Sequence, residues 1–142
     1  MELTASVEIA RPAAEVFAYL AEPGNNPLWQ KGMKHCEWIT DGPIAVGSQY
    51  RQEASFLGRA VVSVFEVVDY ADGASITFET IESTFPIKVR RWVEARGDEA
   101  CLVSAVIGGG PKVPRFVEGL VGKLAQRSVT RDYETLAVTL AR

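Results

Sequence analysis

The 142 residues are 47% hydrophobic and 23% charged with a net charge of −3, which fits one compact domain with its own core and excludes a disordered tail or a general nucleic-acid binder. The longest uncharged run, Ala100 to Pro111, is twelve residues and contains three glycines, too short to span a bilayer, so no integral membrane association is expected. The opening segment lacks a basic region followed by a continuous apolar stretch, so it reads as part of the fold and the expected location is cytoplasmic.

Leu3, Ala5, Val7 and Ile9 alternate with polar residues, the period of a strand with one buried face. Arg11-Pro12 then opens a short amphipathic helix carrying Ala13, Val16, Phe17 and Leu20. Pro23, Gly24 and Pro27 end it and leave room for one further helical turn with Leu28 and Trp29. From about Lys34 to Ile107, turn chemistry at Asp41-Gly42-Pro43, Leu57-Gly58, Asp72-Gly73 and Arg96-Gly97-Asp98 separates six antiparallel strands. The triple glycine Gly108 to Gly110 reads as a flexible entry to a last, long helix. In that helix Phe116, Val117, Leu120, Val121 and Leu124 form one apolar group and Val129, Tyr133, Leu136 and Leu140 a second, rotated one, predicting a bend or change of partner near Ser128. Residues 112–142 hold six basic and three acidic side chains; these read as a solvated face.

This order of elements gives an α+β architecture, β-α-α-β6-α, in which the last helix covers one face of a curved seven-stranded antiparallel sheet. The segments VEIARPAAEVFAYLAEPGNNPLWQ, TDGPIAVGSQYRQ, FEVVDYADGASITFET and SVTRDYETLAVTLAR, in this order along nearly the whole chain, resemble the START-like or SRPBCC superfamily, in particular its polyketide cyclase/dehydrase-like branch. Glu22 stands where many relatives carry Asp. The resemblance implies a helix-grip fold around a hydrophobic cavity for a lipid, polyketide or other aromatic molecule. It leaves carrier, enzyme and interaction module open.

If Leu57-Gly58 is a two-residue turn, Tyr50 pairs with Phe65, Gln52 with Ser63, Ala54 with Val61 and Phe56 with Arg59, and Tyr50, Gln52 and Phe56 face inward; a longer loop swaps the faces. A loop over Arg96 to Glu99 places Val89, Arg91 and Val93 opposite Val106, Ser104 and Leu102. Arg91 is then the one charge on an apolar face. It either anchors a ligand carboxylate or enolate with Ser104, Gln52 and Tyr50 nearby, or its stem packs while its head reaches the cavity mouth or a structural acid. The expected apolar walls are Phe56, Phe65, Phe78, Val89, Phe116, Leu120 and Leu124, with Trp29 near the entrance. The sole histidine, His35, is expected to face outward because Cys36 and Trp38 face inward. One histidine and two isolated cysteines give no metal site, and no cofactor is expected.

Hydrophobic-ligand binding is thus the leading expectation. The alternatives are a polyketide cyclase, aromatase or dehydratase, with Tyr50 or Arg91 polarising a carbonyl, and a protein-interaction module on the same fold. Monomer and homodimer both remain open.

Overall fold

The computed structural model describes residues 1–56 and 58–141. Strand β1 (Glu2–Ile9) leads through Pro12 into helix α1 (Ala13–Ala21), a 3-10 turn (Pro23–Asn25) and the single-turn helix α2 (Asn26–Trp29). Strands β2 (Met33–Trp38), β3 (Gln49–Phe56), β4 (Arg59–Ala71), β5 (Ser75–Glu82), β6 (Ile87–Ala95) and β7 (Cys101–Gly109) follow, then helix α3 (Arg115–Leu140). The sheet order is β1-β7-β6-β5-β4-β3-β2, with every neighbouring pair antiparallel. Six strands are therefore a run of hairpins, and β1 joins the far edge beside β7. Bulges between Val64 and Phe65 and between Val67 and Asp69 bend the sheet. This is the helix-grip architecture, and the element order matches the one expected from the sequence.

The β3–β4 register is the one that the short turn dictates: Tyr50 faces Phe65, Gln52 faces Ser63, Ala54 faces Val61 and Phe56 faces Arg59. Leu57 itself lies outside the described residues. Phe65 stacks on Tyr50 at 5.2 Å between ring centroids, and Phe78 meets both rings edge-on at 5.5 Å. Around these rings Ile9, Phe17, Leu20, Val67, Val103 and Leu136 are buried.

The β6–β7 register differs from the expected one. The loop runs over five residues, Arg96 to Ala100, and is closed by the Arg96 N–H donating to the Ala100 carbonyl at 2.8 Å. Val89, Arg91 and Val93 consequently face Ile107, Ala105 and Val103. One added loop residue moves every β7 side chain to the other face. Ser104 therefore pairs with Trp92 and Ser6 on the outer face and is not a neighbour of Arg91 inside.

The glycines at the end of β7 are also not slack. Gly109 has φ +93, and a Cβ there would collide with the Pro86 carbonyl oxygen. Gly110 N–H donates to that same oxygen at 2.9 Å. Glycine is required here by a close backbone approach.

Helix α3 runs unbroken through Ser128, where a bend or change of partner was expected. Tyr133 and Leu136 are buried, and Val129, Ala137 and Leu140 pack against the same core. At 100° per residue that side of the helix carries Gly119, Gly122 and Ala125 in its first half. The large apolar residues of that half point away: Phe116 is 88% exposed, Leu120 62% and Leu124 48%. The C-terminal apolar group determines which face of α3 meets the core. These three residues are not cavity walls.

Candidate functional site

The inner face of the sheet is divided into a filled half and an open half. In the filled half Arg91 is only 5% exposed. Its Nε donates to the Tyr133 hydroxyl at 3.0 Å, and its guanidinium carbon lies 5.1 Å from the Trp29 ring centre and 5.2 Å from that of Phe78. Trp29 in turn meets Tyr133 edge-on at 4.9 Å. Arg91 is thus held by aromatic faces and one hydroxyl, and a structural acid takes no part in these contacts. The void beside it, bordered by Asn26, Trp38, Tyr50 and Phe78, measures about 10 Å³, at the lower limit of what one water needs. Trp29 is buried here and does not border an entrance.

The same packing acts on the neighbouring ionisable groups. Burial raises the Cys36 thiol to about 11, against smaller lowering effects from the Asn26 side chain and the Arg91 charge. Burial likewise pushes the Tyr50 hydroxyl well above its ordinary value. Both stay protonated at neutral pH. His35 is exposed, as its position beside the inward Cys36 and Trp38 predicts.

One contact at the edge of this half was not legible in the sequence. Glu22, after α1, accepts from the Gly24 N–H with one carboxylate oxygen and from the Trp38 indole with the other, each at 3.0 Å. It caps the 3-10 turn and ties it to β2.

The open half lies beside the middle of α3. A cavity of about 220 Å³ is lined by Leu3, Met33, Ala54, Phe56, Val61, Ile87 and Ile107 from the sheet, by Phe85 from the β5–β6 connection, and by Ala125, Ser128 and Val129 from α3. Phe56 and Phe85 meet edge-on at 5.8 Å. The backbone of Gly108 to Pro111 and residues Met1 and Gly32 complete the wall. Small residues on the inward side of α3 leave this space open. For comparison, a cavity of roughly 150 Å³ lined by Leu, Ile and Phe stays dry and takes up benzene.

The polar part of the lining is sparse. Gln52 faces inward from β3, and its side chain makes no hydrogen bond among the described residues. Gln30, directly after α2, borders the cavity with its amide nitrogen buried and unpartnered among the described residues. Asp132 reaches in from α3, and one of its carboxylate oxygens accepts from the Lys31 N–H at 3.2 Å. Burial raises the Asp132 carboxyl from its ordinary value, partly opposed by that hydrogen bond and by the charges of Arg131 and Lys31.

Of the residues named from the sequence, Gln52 and Phe56 line this cavity. Tyr50, Phe65, Phe78, Val89, Arg91 and Trp29 are packed into the filled half, Ser104 lies on the outer face, and Phe116, Leu120 and Leu124 face solvent. Gln30, Met33, Phe85, Ile87, Ile107 and Asp132 were missed. The alternation of β6 and β7 held a signal for Ile87 and Ile107, whereas Gln30 and Asp132 become neighbours only through the Lys31–Asp132 bond, across 101 residues. A shallow groove on the outer face is lined by Glu2, Asp69, Glu79, Lys88 and Arg90, a mixed-charge surface suited to water more than to an apolar guest.

Comparison with known proteins agrees with this architecture. A protein from Thermus thermophilus superposes with a TM-score of 0.83 at 19% identity, covering 99% of this chain and 97% of that one. A START superfamily protein from Mycobacterium smegmatis gives 0.82 at 19% identity, covering 98% and 96%. The Zhui aromatase/cyclase from Streptomyces sp. R1128 gives 0.74 at 12% identity, covering 99% and 91%. A search of the curated proteins returned no match. The model of the family described as polyketide cyclase / dehydrase and lipid transport matches residues 1–142, and with the whole length covered the chain belongs to that family.

Proposed function

We propose that this protein binds a small, mostly apolar molecule, of lipid, polyketide or aromatic type, in the cavity between the sheet and the middle of α3. The observation that carries this reading is the cavity itself: about 220 Å³, walled by aliphatic and aromatic side chains, with only a few polar groups bordering it. That combination suits an apolar guest oriented at one end. The family's description, with its cyclases, dehydrases and lipid transport, supports the same class of guest. Binding is favoured over cyclisation because the groups expected to polarise a carbonyl, Tyr50 and Arg91, are outside the cavity lining. It is favoured over a purely protein-docking module because the interior is not filled.

Native mass spectrometry of gently purified protein tests the proposal, with Ala54→Trp as the control. Ala54 lines the cavity, and an indole there fills it from the sheet side. The wild type is expected to retain a small molecule or take up an added alkylbenzene, and the variant to lose at least tenfold in affinity. Equal uptake by a folded variant, or none by the wild type, overturns the reading.

A further inference from the structure

We infer that Gln30, Gln52 and Asp132 make the cavity selective for a neutral guest bearing a hydroxyl group, an alcohol or a phenol, over a carboxylate of the same shape. This deepens the binding reading above and rests on it. The argument begins with charge. Among the described residues Asp132 is the sole ionisable side chain in the lining, which contains neither Lys nor Arg. A carboxylate entering this space has no cationic side chain in the wall to pair with and meets a like charge. Only neutral amide and hydroxyl donors of the side chains in the lining are left to offset its desolvation cost. The cation expected to receive such a group, Arg91, is shut into the filled half by Trp29, Phe78 and Tyr133.

The donor and acceptor inventory then favours a hydroxyl over an ammonium. One Asp132 oxygen is occupied by the Lys31 N–H, and a carboxylate has lone pairs left to accept another bond. The buried amide nitrogen of Gln30 is a donor without an acceptor, a state that costs free energy until it is matched. The Gln52 amide, also without a protein partner among the described residues, supplies a further donor and acceptor on the facing wall. A hydroxyl group both donates and accepts, so it can bond to the carboxylate and take a hydrogen bond from an amide. An ammonium only donates and would leave the amide nitrogens unmatched. The raised protonation equilibrium of Asp132 reports the same partly dry environment.

Isothermal titration calorimetry at pH 7 with four probes of one shape tests this: 4-butylphenol, 4-butylbenzoate, 4-butylbenzylammonium and 4-butyltoluene. The phenol is expected to bind at least tenfold tighter than the benzoate, and tighter than the other two. Asp132→Asn keeps an acceptor for the Lys31 N–H and removes the charge, so the phenol-to-benzoate ratio should fall about threefold or more. Gln30→Leu should bring phenol affinity down about tenfold, toward that of butyltoluene. Benzoate or benzylammonium binding as tightly as the phenol overturns the selectivity while leaving the cavity-binding reading in place. Failure of all four probes, butyltoluene included, overturns both.

Discussion

Among the described residues the contacts of the buried Arg91 guanidinium include no carboxylate, so it is held by interactions weaker than an ion pair. At Arg91 these are two aromatic faces and one phenolic hydroxyl. Each ring contact stabilises a desolvated cation by about 2 kcal/mol, against a desolvation penalty of several kcal/mol. The two sides nearly balance, so Arg91→Met, which keeps most of the side-chain volume, should change the unfolding free energy by no more than about 1–2 kcal/mol in a guanidinium chloride titration. A loss above about 3 kcal/mol would show that the charge is a net stabiliser. Because Arg91 is outside the cavity lining, butylphenol affinity should be unchanged in this variant. The alternation of β6 showed that Arg91 points inward. Its partners were not legible, because Trp29 and Tyr133 lie 62 and 42 residues away in sequence and reach it from two different helices.

At the scale of elements, the difference between what the sequence announced and what it concealed follows from how each element is pinned. Strands β3 and β4 pair in the register of a two-residue connection, so the Tyr50–Phe65 and Gln52–Ser63 pairs follow once the short turn is chosen over a longer loop. The β6–β7 loop takes in Ala100, a residue with no turn signature, and one such residue sent Ser104 to the opposite face. In α3 the two apolar groups are rotated relative to one another, and periodicity cannot say which of them wins the sheet. Tyr133 and Leu136 win. Replacing the losing side should therefore cost almost nothing: Phe116→Gln with Leu120→Gln should shift the unfolding free energy by less than about 0.5 kcal/mol per site, as for ordinary surface positions. Leu136→Ala, by contrast, empties a fully buried site and should cost about 2–5 kcal/mol. Comparable losses in the two variants would mean that Phe116 and Leu120 are covered in solution.

For the molecule as a whole, pattern and order were enough to reach the helix-grip architecture, whereas the position of the cavity was not. The guest was expected between the sheet and the last helix, with Phe56, Phe65, Phe78, Val89, Phe116, Leu120 and Leu124 as walls and Tyr50 and Arg91 among its polar contacts. The rings of Tyr50, Phe65 and Phe78 pack on one another and fill the centre. The open space lies instead beside the middle of α3, where Ala125 and Ser128 present small side chains to it. Smallness on the inward face of a helix is a faint signal beside a run of phenylalanines and leucines. It decides the outcome because volume left unfilled is what defines a pocket.

The uneven loading of α3 also divides the helix into parts of different local stability. Its second half is anchored by Tyr133 and Leu136, and the Arg11 Nε donates to the Leu140 carbonyl at 2.6 Å. The first half has two glycines, each costing about 1 kcal/mol of helix propensity relative to alanine, and buries none of its large apolar side chains. Local opening should begin there. In a hydrogen–deuterium exchange experiment the amides from about 119 to 125 should exchange at least tenfold faster than those from 133 to 140, and an occupied cavity should narrow that gap. A guest would thus be felt most in the middle of α3, where Ala125, Ser128, Val129 and Asp132 join the loosely held half of the helix to the anchored one.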